Sequence, residues 1–186
     1  MFYMLKQSMT KSEIEKDLQG KGDFVQIDHL IRFLKDPIAM DTKKFVFLKL
    51  AALYEKAKLL DEAAKMQNNA AELAIPFTEK ITYYKKETEL YIKSGAFDRA
   101  EKAMRDAISQ ANVKEREEIY AYIKKFYKDQ AMECEKNQKR SQAVRLYEKL
   151  LEMRISESER SEIKAKLLEL YNTLGKVREY TALEKK

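Results

Sequence analysis

The stretch Lys93-Ser94-Gly95-Ala96-Phe97-Asp98-Arg99-Ala100-Glu101-Lys102-Ala103-Met104-Arg105-Asp106-Ala107 reads as a tight turn that opens directly into a helix. Gly95 gives the turn access to positive φ, and Phe97, Ala100, Met104 and Ala107 then recur at helical spacing. The alanines are small enough for a second helix to cross closely. Similar punctuation stands around Ala63, Ala143 and Gly175, so the chain is expected to be a series of antiparallel helical hairpins.

Composition agrees with that expectation. Of 186 residues 45% are hydrophobic, enough for a real core, while 37% are charged and only four are glycine and two proline. So few turn formers leave an all-α fold as the default. The formal net charge of +6 is spread through helix faces of mixed sign. One window departs: Lys124, Lys125, Lys128, Lys136, Lys139, Arg140 and Arg145 face only Asp129, Glu133 and Glu135. It is the basic patch that a phosphate or an acidic partner would use.

A single cysteine, Cys134, cannot close a disulfide within the chain, which fits a reducing compartment. The opening Met1 to Leu5 is apolar but meets Lys6 at once, too short for a signal sequence or a membrane span. A cytoplasmic protein with no membrane contact is expected.

Taken in order, Ser12-Glu13-Ile14-Glu15 has the form of a capping box for a short helix over about 12–19, broken by Gly20 and Gly22. Asp23 is placed to cap a second helix with an apolar stripe of Phe24, Ile27, Leu30, Ile31 and Leu34, ended by Pro37. His29 lies at the edge of that stripe with no second histidine or cysteine nearby, and reads as a boundary residue. Residues 1–42 are thus two capping helices, and 43–186 form one continuous repeat array.

In the array, Phe47, Leu50, Ala51 and Tyr54 share one face. Leu60 and Ala63 open the returning helix, Ala70 continues it, and Pro76 ends it. Ile81, Tyr84, Thr88 and Tyr91 mark the next helix before the Gly95 turn. A longer helix over about 114–137 places Ile119, Ile123, Phe126, Tyr127, Ala131 and Cys134 at helical spacing, so Cys134 is expected to be buried. It returns through Ala143, Leu146, Tyr147 and Leu150. Ser156 and Glu159 then form a second capping box for a helix carrying Leu167, Leu168 and Tyr171, followed by Gly175 and a short helix over about 177–184.

Phe47 to Pro76 and Tyr84 to Ala107 resemble tetratricopeptide repeats. That family pattern runs aromatic, Leu, small, Tyr, turn Gly, aromatic, Ala, aromatic, Ala and Pro. Phe47, Leu50, Ala51, Tyr54, Ala63 and Ala70 follow it, with Pro76 one place late, and the second unit follows it through Tyr84, Thr88, Tyr91, Gly95, Phe97, Ala100, Met104 and Ala107. The spacing is irregular: Ala63, Ala100, Ala143 and Tyr180 stand 37, 43 and 37 residues apart. The third unit lacks the turn glycine. The resemblance implies a short right-handed solenoid, divergent from the family.

It also implies a function. In this family the first helix of each hairpin lines a concave groove. Transferred to this chain, the exposed groove positions are Phe45, Leu48, Ala52 and Glu55, then Lys85, Glu89, Ile92 and Lys93, then Lys125, Lys128, Met132 and Lys136. Apolar at one end and rich in lysine at the other, the groove suits a protein segment with apolar and acidic residues.

No phosphate loop, nucleophile elbow, metal motif or triad is legible, so neither enzyme activity nor a cofactor is expected. A non-enzymatic protein-interaction scaffold or adaptor is the leading expectation. The alternative is a ribonucleoprotein- or ribosome-associated factor that sets Lys124, Lys139, Arg140 and Arg145 against phosphate or an acidic partner. A homo-oligomer sealed through Leu170, Val177 and Leu183, or through Met1 to Leu5, is compatible with either.

Overall fold

Four interhelical turns share one backbone geometry, and it is the geometry that Gly95 announces. The computed structural model describes residues 5–185, and among these the chain forms ten α-helices and no strand. They are α1 (Lys11–Leu18), α2 (Asp23–Phe33), α3 (Met40–Lys56), α4 (Leu60–Leu73), α5 (Phe77–Ser94), α6 (Phe97–Ser109), α7 (Val113–Lys136), α8 (Arg140–Glu152), α9 (Glu157–Thr173) and α10 (Val177–Glu184). The turns α3–α4, α5–α6, α7–α8 and α9–α10 each hold one residue at positive φ: Lys58 at 62°, Gly95 at 78°, Gln138 at 56° and Gly175 at 68°.

Each of these residues donates its N–H three residues back, and the following N–H reaches five residues back. Gly95 bonds the carbonyl of Ile92 and Ala96 that of Tyr91, while Gln138 bonds Glu135 and Lys139 bonds Cys134. Lys58 with Leu59, and Gly175 with Lys176, repeat the pattern onto Glu55, Tyr54, Asn172 and Tyr171. These are Schellman caps, which satisfy the carbonyls left open at a helix C-terminus. The positive-φ positions fall at intervals of 37, 43 and 37 residues, the spacing of the alanine pattern. The third hairpin therefore keeps the turn without the glycine, and Gln138 takes the left-handed conformation in its place.

The chain divides into two compact units, residues 1–116 and 117–186. In the first, helices consecutive in sequence pack on one another: α2 on α3, α3 on α4, α4 on α5, and α5 on α6. One core cluster joins Leu5, Ile14, Leu18, Ile27, Leu30, Phe33, Val46 and Leu50. Ala63, Ala64, Ala70 and Ala71 of α4 and Ala100, Ala103 and Ala107 of α6 are almost wholly buried, so the small residues do form the crossing faces.

Local details differ from the expectations at this end. Thr10, not Ser12, caps α1, with Glu13 returning the bond to the Thr10 amide. Gly22 occupies the cap of α2, and Asp23 inside the helix pairs instead with Lys56 at 2.8 Å. The buried stripe of α2 is Ile27, Leu30 and Phe33, while Phe24 is 73% exposed and Ile31 is also at the surface. The helix is rotated so that Phe33 fills the core and Phe24 does not.

In the second unit α8 packs on α9 and α9 on α10. Ile123, Val144, Leu150 and Leu167 are fully buried. Ser156 accepts from the Glu159 amide, and Glu159 accepts from the Ser156 amide at 2.8 Å, as the capping box requires. Three ion pairs tie α7 to α9: Lys124 to Glu159 at 2.9 Å, Lys128 to Glu162 at 3.0 Å and Lys166 to Glu135 at 3.5 Å.

Candidate functional site

The first helices of the hairpins carry the expected docking positions, and the structure sorts them. On α3, Ala52 is exposed and Leu48 half-buried, but Phe45 packs against the N-terminal core cluster. On α5, Ile92 is only 2% exposed. It is a core residue, not a docking residue, because α5 is buried along more of its circumference than a surface helix. Lys85 and Glu89 are half-buried and Lys93 is exposed. Glu55 lies between α3 and α5, reached by Lys86 at 3.1 Å and Lys93 at 3.5 Å. Those amines hold the Glu55 carboxyl below its usual range although burial opposes them.

On α7, Lys125, Met132 and Lys136 are exposed, with Met132 at 54%. At 3.6 residues per turn these three fall within about 20° of one line along the helix. Lys125 pairs with Asp129 at 2.5 Å and Lys128 with Glu162, so the row is not a bare cationic surface. Lys124 is likewise committed to Glu159, whose carboxyl is drawn down to about 2 by the Ser156 amide first and Lys124 second. Among the described residues Lys136, Lys139 and Arg140 make no ion pair, and Lys139, Arg140 and Arg145 are all exposed.

Glu87 is a residue that the sequence reading passed over. It stands eight places before the Gly95 turn; the equivalent positions before Lys58 and Gly175 are Leu50 and Leu167, both buried core leucines, and the one before Gln138 is the half-buried Gln130. Glu87 is 6% exposed, and its Oε2 has no hydrogen-bond partner among the described residues. Burial is the main cause that pushes its carboxyl up to about 8, with Asp106 and Glu72 adding repulsion and Lys102 opposing. The signal in the sequence was a charged residue on a register that two of the other three hairpins fill with leucine.

Glu87 forms part of the wall of a pocket of about 370 Å³ between α4, α5 and α6. Lys65, Asn68 and Asn69 come from α4, Tyr91 from α5, and Arg99 and Lys102 from α6. The Arg99 guanidinium lies 4.7 Å from the centre of the Tyr91 ring and bonds Asp61, and Lys102 bonds Asp106 at 2.9 Å. Glu87 and Tyr91 are one turn apart on α5, whereas Glu87 lies about 200° round the helix from Lys85. The pocket and the expected docking positions are therefore on opposite sides of α5.

His29 lines a second pocket, of about 380 Å³, with Leu5, Phe24, Val25 and Phe33. Its Nδ1 is 3.4 Å from the Lys21 amine, which Asp17 also holds. Cys134 is half-buried, and not fully buried as expected; its thiol is raised above the usual range by burial. Leu170 is buried within the second unit and leaves the proposed sealing face, while Val177 is 71% exposed. Met1 to Met4 lie outside the described residues. Among the described residues no group of His, Cys, Asp and Glu is placed to hold a metal, and no helix is long and apolar enough to cross a membrane.

No protein-family model matches the chain, and no curated protein matches it. A crystal structure of BtubC (BKLC) from P. vanneervenii is similar at a TM-score of 0.40 and 17% identity, over 92% of this chain and 76% of that one. At that level the likeness carries no argument. The class that the fold defines, among the described residues, is an all-α protein.

Proposed function

We propose that the chain is a non-enzymatic, cytoplasmic protein-interaction scaffold, a divergent tetratricopeptide-like stack of hairpins that holds a partner segment against its first helices. The observation that carries this reading is the row Lys125, Met132 and Lys136 on α7, an exposed flexible apolar side chain flanked by cations. Methionine adapts to varied apolar partners, and lysines select acidic neighbours. The recurrence of one Schellman turn at four places supports the repeat reading.

The test compares wild type with Lys125→Glu/Met132→Ser/Lys136→Glu in affinity capture from lysate, with captured proteins identified by mass. The triple variant is expected to lose a partner that wild type retains, and wild-type retention is expected to weaken as salt rises. Each exposed lysine contributes about 1 kcal/mol or less, so single variants should have small effects. Identical partner sets would remove α7 from the docking surface.

One observation favours ribosome or RNA association as a second reading. Lys136, Lys139 and Arg140 make no ion pair among the described residues and cluster at the α7–α8 turn. Phosphate contacts there would release counterions and give steep salt dependence. Co-sedimentation with ribosomes at low and high salt tests it, and absence from every particle fraction at low salt excludes it.

A further inference from the structure

We propose that the pocket between α4, α5 and α6 binds a phosphoryl-type oxyanion, held by Lys65, Arg99 and Lys102, with the Glu87 carboxyl donating a hydrogen bond from the pocket wall. Several independent features of the site lead there. The wall is built: Glu87 is more than nine-tenths buried and carries an oxygen without a partner among the described residues, on a register that Leu50 and Leu167 fill in two of the other three hairpins. A carboxyl oxygen without a partner leaves a buried polar group unsatisfied, a defect that a hydrogen bond to a ligand would repair. The remaining lining is rich in donors, with three cationic side chains and the amides of Asn68 and Asn69, and Glu87 is its one carboxyl.

The two parts of the site fit the same ligand only if Glu87 keeps its proton. Every charged group around it bears on that condition. Glu72 and Lys65 face it from α4, Arg99, Lys102 and Asp106 from α6, and Tyr84 and Tyr91 from its own helix. Tyr84 is already committed to Glu72 at 2.9 Å, and each cation has a carboxylate that the ligand would share: Glu62 for Lys65 at 2.7 Å, Asp61 for Arg99 and Asp106 for Lys102 at 2.9 Å. The carboxyl is therefore neutral near pH 7, and a neutral carboxyl donates to an oxyanion rather than repelling it. A tetrahedral oxyanion has enough acceptors to meet the lysines, the guanidinium and Glu87 together.

The site is independent of the docking row on α7, so failure of one leaves the other standing. The test is calorimetric titration of the full chain with sulfate and with inorganic phosphate, at constant ionic strength, at about pH 6.5 and about pH 9. Sulfate does not titrate in that range, so any pH dependence belongs to the protein. Saturable binding of both anions is expected at the lower pH, with sulfate at least about fivefold weaker at the higher pH, where Glu87 is ionised.

Lys65→Gln/Lys102→Gln, two exposed changes, should weaken binding at least about tenfold, and Lys125→Glu should not. Glu87→Gln should still bind and should lose the pH dependence. A phosphoserine peptide that binds more than about tenfold tighter than inorganic phosphate would assign the oxyanion to a partner protein, and equal affinity would assign it to a free phosphate compound. Absence of saturable sulfate and phosphate binding at the lower pH, or full binding by the Lys65/Lys102 variant, would overturn the proposal. So would a pH dependence unchanged in Glu87→Gln.

Discussion

Glu87 costs the fold stability in a way that pH reveals. Its carboxyl ordinarily titrates near 4.5 and is raised to about 8 here, chiefly by burial. Between those values the folded protein keeps a proton that the unfolded chain has lost, so stability falls as pH rises through that window and the loss is complete above about 8. Urea unfolding of wild type should show this decline between about pH 5.5 and pH 9, and Glu87→Leu should remove it. At the lower pH that variant is expected to be more stable by roughly 1–3 kcal/mol, the cost of an unsatisfied buried polar group, and by more at the higher pH, where the buried carboxyl is ionised. A pH slope equal to that of wild type would show that other groups dominate.

The sequence made this residue hard to see. Thr88 and Tyr91 matched the repeat pattern on either side, and a single glutamate among many charged residues looked like solvated surface. Only the turn register, which places Glu87 level with Leu50 and Leu167, exposes it as an intrusion into the core. Ile92 was the converse case. Its place in the repeat predicted a groove position, but burial depends on neighbours that local spacing does not encode.

At the scale of elements, helix boundaries were largely legible because caps and stripes are local. Ser156 with Glu159 marked α9, and the apolar spacing of Ile119, Ile123 and Tyr127 marked α7. Ser156→Ala is expected to lower stability by about 1 kcal/mol in urea unfolding, the usual worth of an N-cap. Lys58 and Gln138 were not legible as turn residues, since left-handed backbone is rare for either type. The Schellman bonds hold them there against an intrinsic preference of roughly 1–2 kcal/mol. Ion pairs between helices about one repeat apart, such as Lys124 with Glu159, were also invisible, because pairing across helices follows from packing.

At the scale of the whole molecule, the all-α class followed from composition and spacing: many charged residues, few glycines and prolines, and apolar residues at helical intervals. The two compact units did not, because the excess of charge and the apolar spacing continue without a break near residue 116. Leu167 is fully buried in the second unit, and truncating a leucine at such a site costs about 2–5 kcal/mol. Leu167→Ala is expected to speed amide exchange across residues 117–185 while leaving 5–116 close to wild type, as separate opening of the units requires. Uniform acceleration along the chain would show that the two open together.

The first helices of two hairpins and the second of another carry buried tyrosines that end on carboxylates. Tyr84 donates to Glu72 at 2.9 Å, Tyr171 to Glu148 at 2.7 Å, and Tyr147 to Glu135. Burial first, and these bonds second, hold the phenols protonated well above their usual range. The chain has eleven tyrosines and no tryptophan. Its ultraviolet emission is therefore tyrosine emission alone, and a carboxylate bonded to an excited phenol drains that emission by taking the proton. The folded molecule is its own dim reference state, and loss of the fold should register as a gain of light.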